Sequence, residues 1–417
     1  MTYFRYVNDT DRVTSATAGP RPAPVAAGSP GLLSMLAVAA DAADEVLLGT
    51  VRDVHQAVAD RVYGVTHAAT GGTSRVAEKV HDGLSSAVYA GLGAGLRATG
   101  RGLREADRRG VGGRLDTSTR GRSVVAAVNG VMGDKLAEQG SELAIELAVR
   151  HAGADVPLTP EALAAAFPDA SSDVAVFLHG LGETEEHWRR HQGTVGGTYP
   201  GMLAAETPWT PVLLRANTGL PIAENGVALA SLLDRLVAAW PVPVSRISLV
   251  GHSMGGLIMR AACAVVSAEP GGTEQTGWHT RVTDVVTLGT PHLGAPLERG
   301  VALGVRALGL LPESAPIGRI LEYRSVGILD LRAGLAPDVQ NLPNARYHLV
   351  AATLAESHRH PVSEALGDML VRYPSAVGRP RRGVDMFPGA DVLHIKGGHF
   401  DLLNHPAVHD ALRTWLG

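Results

Sequence analysis

The sequence predicts an α/β protein with a mostly parallel, doubly wound sheet in its C-terminal part. After Asp173, short apolar runs alternate with segments of helical periodicity. Strands that are apolar throughout need helices on both faces of their sheet, which is the arrangement of parallel α/β folds. Six runs are predicted as strands, at residues 174–180, 211–217, 247–253, 285–291, 347–353 and 391–397.

The rest of the chain divides by composition and period. Residues 1–30 are polar and then rich in Pro and Ala, which predicts a flexible lead-in. Residues 31–165 carry apolar side chains at helical spacing and predict an all-helical N-terminal region. We expect the sheet-containing domain to span 166–417. Within it the strand-helix alternation lapses after Pro291, and apolar residues there predict a helical lid insertion at about 297–340.

Charge and cysteine content exclude some classes of function. The net charge of −4 leaves no excess of Lys and Arg to neutralise phosphates, so we expect no nucleic-acid binding. The single cysteine, Cys263, can form no disulfide within the chain. The N-terminus lacks the basic start and apolar run of a secretory signal, and no stretch approaches the roughly 18 apolar residues of a spanning helix. A cytoplasmic location is therefore expected.

The most informative motif is G-x-S-x-G at residues 251–255, between a predicted strand and a predicted helix. Its two glycines permit a tight turn that lifts the Ser253 hydroxyl above the sheet, in the manner of a nucleophile elbow. In a chain with 50 glycines the bare pattern is weak evidence, and an ordinary glycine-rich turn is the alternative. The strand-turn-helix setting favours Ser253 as a nucleophile.

A serine nucleophile needs donors for the oxyanion that forms on its substrate. The N–H of Met254, the residue after the nucleophile, is one expected donor. The second is expected from Leu181, because residues 177–182 read as a strand end followed by a Gly-rich turn where backbone can approach substrate. The alternative is a plain glycine turn with a structural His179.

The general base should be a histidine beyond the acid in the chain, since this type of site runs in the order Ser, acid, His. His399 follows the last predicted strand directly, where a loop can carry an imidazole over the elbow. His394 lies within that strand and His405 starts the next helix, so both are interpreted as structural.

The acid should lie between the last two predicted strands. Asp368 is favoured because it sits on a turn anchored by apolar neighbours, where a buried carboxylate would orient the imidazole. Asp330 and Asp401 fall outside the expected order. The other carboxylates in the window are Glu356, Glu364 and Asp385.

Five blocks of sequence together resemble bacterial lipases and esterases of the α/β-hydrolase superfamily, including the GPI inositol-deacylase-like branch. The resemblance covers about residues 173–417, whereas residues 1–165 resemble no family. It implies the α/β-hydrolase fold and ester hydrolysis through an acyl-enzyme, with Ser253, Asp368 and His399 at the triad positions. The blocks are residues 179–188, 249–260, 288–298, 367–371 and 397–408.

The expected function is hydrolysis of carboxylic, lipid-like esters by the domain 166–417, in lipid metabolism. An acyltransferase or thioesterase would use the same triad, and an inert hydrolase-fold scaffold or lipid-binding protein is a further alternative. The expected partners are a small ester or lipid substrate and, through the N-terminal helices, a second copy or a lipid surface. No cofactor is expected. No metal is expected either, because His358 and His360 lack companions at ligand spacing.

Overall fold

The computed structural model describes most of the sheet-containing domain and part of the region before it. The predicted lead-in 1–30, the helical pattern at 43–74 and most of the lid insertion, 296–324, lie outside the described residues and stay predictions. The described residues are 31–42, 75–109, 114–115, 117–267, 277–295, 325–335, 339–360, 363–364, 367–380 and 382–417.

The core of the molecule is an eight-stranded sheet with the order β2-β1-β4-β3-β5-β6-β7-β8. Strand β1 runs antiparallel to both its neighbours, and the pairs from β4 to β8 are parallel. The six predicted strands are confirmed as β3 to β8, with ends displaced by three residues or fewer. The strands are β1 (Ala148–His151), β2 (Ala154–Val156), β3 (Asp173–Leu178), β4 (Trp209–Arg215), β5 (Arg246–His252), β6 (Val282–Leu288), β7 (Arg346–Thr353) and β8 (Asp391–Lys396).

Helices follow or separate the strands, as the alternation predicted. Short 3-10 turns lie at Glu185–Arg189, Trp278–Arg281 and His399–Leu402. The α-helices are α1 (Leu32–Ala42), α2 (Arg75–Arg108), α3 (Thr119–Glu138), α4 (Pro160–Ala166), α5 (Gln192–Val195), α6 (Tyr199–Glu206), α7 (Ile222–Ala239), α8 (Met254–Ser267), α9 (Val326–Ala333), α10 (Tyr373–Ala376) and α11 (Pro406–Leu416). None of the helices in the described ranges is long and apolar enough to cross a membrane.

Burial on both faces explains why the central strands read as continuous apolar runs. All six residues of β3 are buried. Val176 and Leu178 belong to the core on one face, and Ala175 and Phe177 to the core on the other. Successive side chains of a strand point to opposite faces, so a sheet covered on both sides leaves no polar face to alternate with.

The N-terminal region is helical in its described parts except at its C-terminal end, where the structure differs from the all-helical prediction. Residues 148–156 form the β1–β2 hairpin at the edge of the sheet. Its two turn residues, Ala152 and Gly153, both have positive φ, of 48° and 80°, as a two-residue hairpin turn with matched twist requires. Strands of four and three residues are too short to show a clear period.

Candidate active site

Ser253 lies in the sharp turn between β5 and α8 and has a positive φ of 51°. Positive φ is strained for a residue with a side chain and is typical of a nucleophile elbow. A Cβ on Gly251 would lie 2.5 Å from the Gly256 nitrogen, and one on Gly255 would lie 2.3 Å from the Leu178 oxygen. Both motif glycines are therefore required by close backbone approach.

His399 and Asp368 are hydrogen-bonded to each other through their side chains. His399 Nδ1 lies 2.7 Å from Asp368 Oδ2, and both residues are buried. Asp368 Oδ1 accepts backbone N–H groups from Leu370 and Val371 at 3.0 and 2.7 Å, and the His399 N–H donates to the Asp368 carbonyl. The backbone of its own turn thus holds the Asp368 carboxylate in place. Since Asp368 occupies Nδ1 of His399, Nε2 remains available for another partner.

The charge around His399 favours its protonated form. Burial lowers the pKa of this imidazole, but the charge of Asp368 and the hydrogen bond to it, together with the charge of Glu183, raise the pKa above its ordinary value. An imidazole that is readily protonated here can take a proton and hold it during a reaction.

Ser253 and His399 both lie against the end of β6. The Ser253 N–H donates to the Leu288 carbonyl at 2.8 Å, and a Cβ on the next residue, Gly289, would lie 3.1 Å from His399 Cε1. The ring of His252 is 5.0 Å from the His399 ring. No hydrogen bond joins Ser253 to His399 in the described part of the chain. A hydrogen bond between nucleophile and base is often long before substrate binds. Ser253 is largely buried, with 8% of its surface exposed.

The turn after β3, residues 180–183, lies against the elbow and is called the oxyanion loop below. A Cβ on Gly180 would lie 3.0 Å from Ser253 Cβ. Three N–H groups of this loop are occupied: Gly180 donates to Glu183 Oε2 at 2.7 Å, Gly182 donates to Thr218 Oγ1 at 2.9 Å, and Glu183 donates to the Gly180 carbonyl at 3.2 Å. The loop is therefore closed on itself between Gly180 and Glu183 and is bonded to Thr218.

The N–H groups of Leu181 and Met254, by contrast, have no acceptor within the described ranges. Met254 is the first residue of α8, where a helix leaves its N–H groups without partners in the helix. Leu181 lies between the two anchored glycines. Both predicted donors are thus available to an anion bound at Ser253.

His179 has a structural arrangement. Its Nε2 accepts the N–H of Ala216 at 3.1 Å, and its Nδ1 bonds the Gly180 carbonyl at 2.9 Å. Burial lowers the pKa of this imidazole, so it stays neutral with both nitrogens used. His179 therefore joins the oxyanion loop to the end of β4.

Sequence analysis missed a second carboxylate-imidazole pair, formed by Glu183 and His252. Glu183 Oε2 lies 2.9 Å from His252 Nδ1, and both residues are buried. Burial raises the pKa of the Glu183 carboxyl, but the charge and hydrogen bond of His252 dominate and bring that pKa well below its usual range. The available signal was an acid three residues after Gly180, but nothing in the sequence indicates a partner 69 residues away.

The other candidates for acid and base make contacts elsewhere. His394 Nε2 bonds the Thr353 hydroxyl at 2.7 Å, and His405 accepts the Ala407 N–H at the start of α11. The remaining carboxylates behave as follows: Glu356 pairs with Lys396, Asp385 with Arg379, Asp330 accepts the Ile222 N–H, Asp401 accepts the Gly398 N–H and Glu364 is exposed. Across the described residues, no group of three or more His, Cys, Asp or Glu side chains could hold a metal ion.

Comparison with known proteins finds a family that matches part of this chain. Residues 170–320 match the family described as "Putative serine esterase (DUF676)". The matched segment includes Ser253 and the oxyanion loop and ends before Asp368 and His399. No curated protein matches the sequence.

Solved structures with a similar chain path include bacterial and archaeal esterases. The mature form of the lipase BlEst2 from Bacillus licheniformis is 19% identical, with a TM-score of 0.41, over 60% of this chain and 93% of that chain. The esterase Pf2001 from Pyrococcus furiosus is 16% identical, with a TM-score of 0.37, over 60% and 83%. A lipase-esterase related protein from Clostridium acetobutylicum is 13% identical, with a TM-score of 0.36, over 59% and 95%.

Proposed function

Since this chain has the α/β-hydrolase fold and its residues 170–320 match a serine esterase family, we propose that it hydrolyses carboxylic esters with Ser253 as nucleophile. His399 is the proposed base and Asp368 the acid that orients it. The observation that carries the proposal is the 2.7 Å bond between His399 and Asp368, on loops beside a serine held at positive φ.

The proposed reaction has two halves that use the same groups. His399 takes the Ser253 proton as the oxygen attacks the ester carbonyl, and the oxyanion is bound by the N–H groups of Leu181 and Met254. The intermediate expels the alcohol, which takes the proton from His399, and leaves an acyl-enzyme. Water then attacks the acyl carbonyl with His399 as base, which releases the acid and restores the serine.

The polarity of the site favours an uncharged, lipid-like ester. The two carboxylates of the site, Asp368 and Glu183, are each hydrogen-bonded to a histidine. Leu181, one of the two proposed oxyanion donors, has an apolar and only partly buried side chain. A charged substrate would lose its hydration here without gaining a partner from these groups, whereas an acyl chain has little to lose.

The test is a series of p-nitrophenyl esters of increasing acyl length, given to native protein and to Ser253→Ala. We expect native protein to hydrolyse the esters and Ser253→Ala to lose at least about 10⁴-fold in kcat. Ser231→Ala, which changes an exposed serine of α7, should keep the native rate.

Two further readouts separate the alternatives. A fluorophosphonate probe should label native protein and leave Ser253→Ala unlabelled, and unlabelled native protein would identify an inert scaffold instead. With an added alcohol, free acid as the main product supports hydrolysis. A new ester formed in preference to free acid would instead identify an acyltransferase.

A further inference from the structure

Helix α3 contacts the oxyanion loop backbone to backbone. A Cβ placed on Gly130 would lie 3.0 Å from the Gly182 Cα and 3.1 Å from the Gly182 nitrogen. A Cβ placed on Gly182 would lie 3.6 Å from the Ala127 Cα. Gly130 is buried, and at its position a methyl group would force either the helix or the loop to move.

The loop has little room to move in response. Gly182 has a φ of 67° and its N–H is bound by the Thr218 hydroxyl. The Gly180 N–H is bound by Glu183, whose side chain is held in turn by His252. Leu181 lies between these two glycines. A shift at Gly182 therefore moves the Leu181 Cα and, through it, the Gly180–Leu181 peptide that carries the Leu181 N–H.

Helix α3 is itself held in place by bonds to two other segments. It is kinked at Met132, which has φ −143° and ψ 23°. Beside the kink, the Gly130 carbonyl accepts the Ser325 hydroxyl at 2.8 Å, and the Gly133 carbonyl accepts an Asn217 side-chain N–H at 3.0 Å. The helix is thus bonded to the start of α9 and to the loop after β4, and cannot easily recoil from the oxyanion loop.

We propose that Gly130 is a positioning residue for ester hydrolysis, through which helix α3 sets the place of the Leu181 N–H in the oxyanion hole. The inference rests on the proposed function. It also assigns a part in the reaction to residues 119–138, which precede the family match at 170–320. Gly130 touches no substrate and acts only through the loop.

The direct test is Gly130→Ala in the full-length protein. Alanine favours a helix more than glycine does, so the variant is expected to fold. Because the added methyl moves the loop by a few tenths of an ångström, we expect kcat to fall about 10-fold, less than the 10²-fold or more that follows complete loss of one oxyanion donor. KM for the same p-nitrophenyl ester should be unchanged, since the substrate carbonyl in the ground state uses this donor little.

A second readout reports on the oxyanion hole itself. A trifluoromethyl ketone forms a tetrahedral adduct when the Ser253 oxygen bonds its carbonyl carbon, the carbonyl electron pair moves to oxygen and His399 takes the serine proton. Its inhibition constant should rise in Gly130→Ala by the same factor as kcat falls, because both depend on oxyanion binding. A general loss of folded protein would leave this constant unchanged per active site. All rates are therefore divided by the serine titrated with fluorophosphonate.

Two other variants complete the design. Gly95→Ala changes a helical glycine of α2 that has no atom within 4 Å of an added Cβ, and it should keep native kcat and KM. Ser325→Ala adds no atom and removes one hydrogen bond that holds α3 in place, so kcat should fall in the same direction, by about 3-fold. It tests the same helix if Gly130→Ala does not fold.

The outcomes separate this inference from the proposed function. Native protein that neither cleaves esters nor takes the fluorophosphonate label removes the proposed function. Active native protein together with native kcat and native ketone inhibition in Gly130→Ala overturns the positioning role alone. A change confined to KM also overturns it, since that places α3 in substrate binding rather than at the oxyanion.

Discussion

At the scale of single residues, the Asp368 carboxylate divides its two oxygens between two tasks. Oδ1 accepts two backbone N–H groups and Oδ2 bonds His399. In Asp368→Asn the amide oxygen can keep the backbone bonds, but an NH₂ group then faces His399 Nδ1 and stabilises the wrong tautomer. We expect kcat to fall roughly 10⁴-fold with a nearly unchanged KM.

Steady-state kinetics on a p-nitrophenyl ester measure this effect. Asp385→Asn is the matched control, because Asp385 pairs with Arg379 and caps the N–H of Phe387 away from His399. If Asp368→Asn kept kcat within about 10-fold of native, the acid would have to be another residue.

Glu183 also affects the pKa of the His399 imidazole. Its negative charge helps to raise the pKa of His399, after the larger contribution of Asp368. Because the base must be neutral to act, the acid limb of the kcat/KM profile follows this pKa. Glu183→Gln keeps an acceptor for the Gly180 N–H but removes the charge, so the acid limb should move to lower pH.

The measurement is kcat/KM from about pH 4 to pH 9, the range over which histidine titrates. Glu161→Gln, at an exposed position in α4, is the control and should leave the acid limb in place. An acid limb that stays put or moves to higher pH in Glu183→Gln would show that Glu183 does not act on His399.

Asp368 and Glu183 differ in how well the sequence alone identifies them. The order of Ser253, Asp368 and His399 along the predicted strands placed them at one site, and the structure joins Asp368 to His399, while their catalytic roles stay predictions. Glu183 could not be predicted, because its importance depends on His252 being folded against it, 69 residues away. A buried contact between a carboxylate and an imidazole leaves no period or motif in a single sequence.

At the scale of elements, the β1–β2 hairpin is tied to the 3-10 turn after the oxyanion loop by a buried ion pair. Arg150 Nε lies 2.8 Å from Glu185 Oε1, and both side chains are 5% exposed or less. Arg150→Leu leaves Glu185 buried without its partner, so the free energy of unfolding should fall by about 3–5 kcal/mol. Urea unfolding followed by circular dichroism measures the change.

The double variant Arg150→Leu/Glu185→Leu provides the control for that loss. Removing both charges leaves no unpaired ion, so a large part of the lost stability should return. A single variant less than about 1 kcal/mol below native would mean that water or other groups already solvate Glu185.

The same hairpin shows why element prediction failed locally. Long buried strands such as β3 and β7 form clear apolar runs, and their positions were predicted closely. The hairpin strands have four and three residues and follow a helix, so their apolar residues continue a helical pattern. The turn at Ala152 and Gly153 was the available signal, but Ala is an uncommon residue at positive φ.

At the scale of the whole molecule, the placement of α3 over the oxyanion loop could not be predicted. The helical pattern of residues 119–138 was visible, but a helix can pack on any apolar surface of sufficient size. The contact depends on Gly130 and Gly182, which have no side chain and so let the two backbones approach closely. Such a fit can be recognised only when both surfaces are known.

The buried titratable groups also set how the whole fold responds to acid. Burial lowers the pKa values of His179 and His292, the latter further lowered by the charge of Arg260. When the chain unfolds these histidines regain their ordinary pKa and bind protons, so acid favours the unfolded chain. Stability should therefore fall as pH drops below about 6.5, by about 1.4 kcal/mol per pH unit for each group.

Two other groups, Glu183 and His399, also change how the free energy of unfolding depends on pH. The pKa of Glu183 is lowered by His252, so its contribution is present above the ordinary carboxyl pKa and is lost as pH falls below that value. His399 acts in the opposite sense, because its pKa is raised and its contribution is lost as pH rises through the folded value. Acid unfolding should thus show one loss in the histidine range and a second in the carboxyl range.

Urea unfolding at a series of pH values resolves these steps, and His292→Gln isolates one of them. In this variant one buried imidazole no longer differs between the folded and unfolded states, so the slope between about pH 6.5 and 5 should fall by about 1.4 kcal/mol per pH unit. His151→Gln, at an exposed position, should leave the slope unchanged. An equal slope in native protein and His292→Gln would mean that His292 is protonated in the fold, which would require an anionic partner that its neighbours Arg260 and Thr287 do not provide.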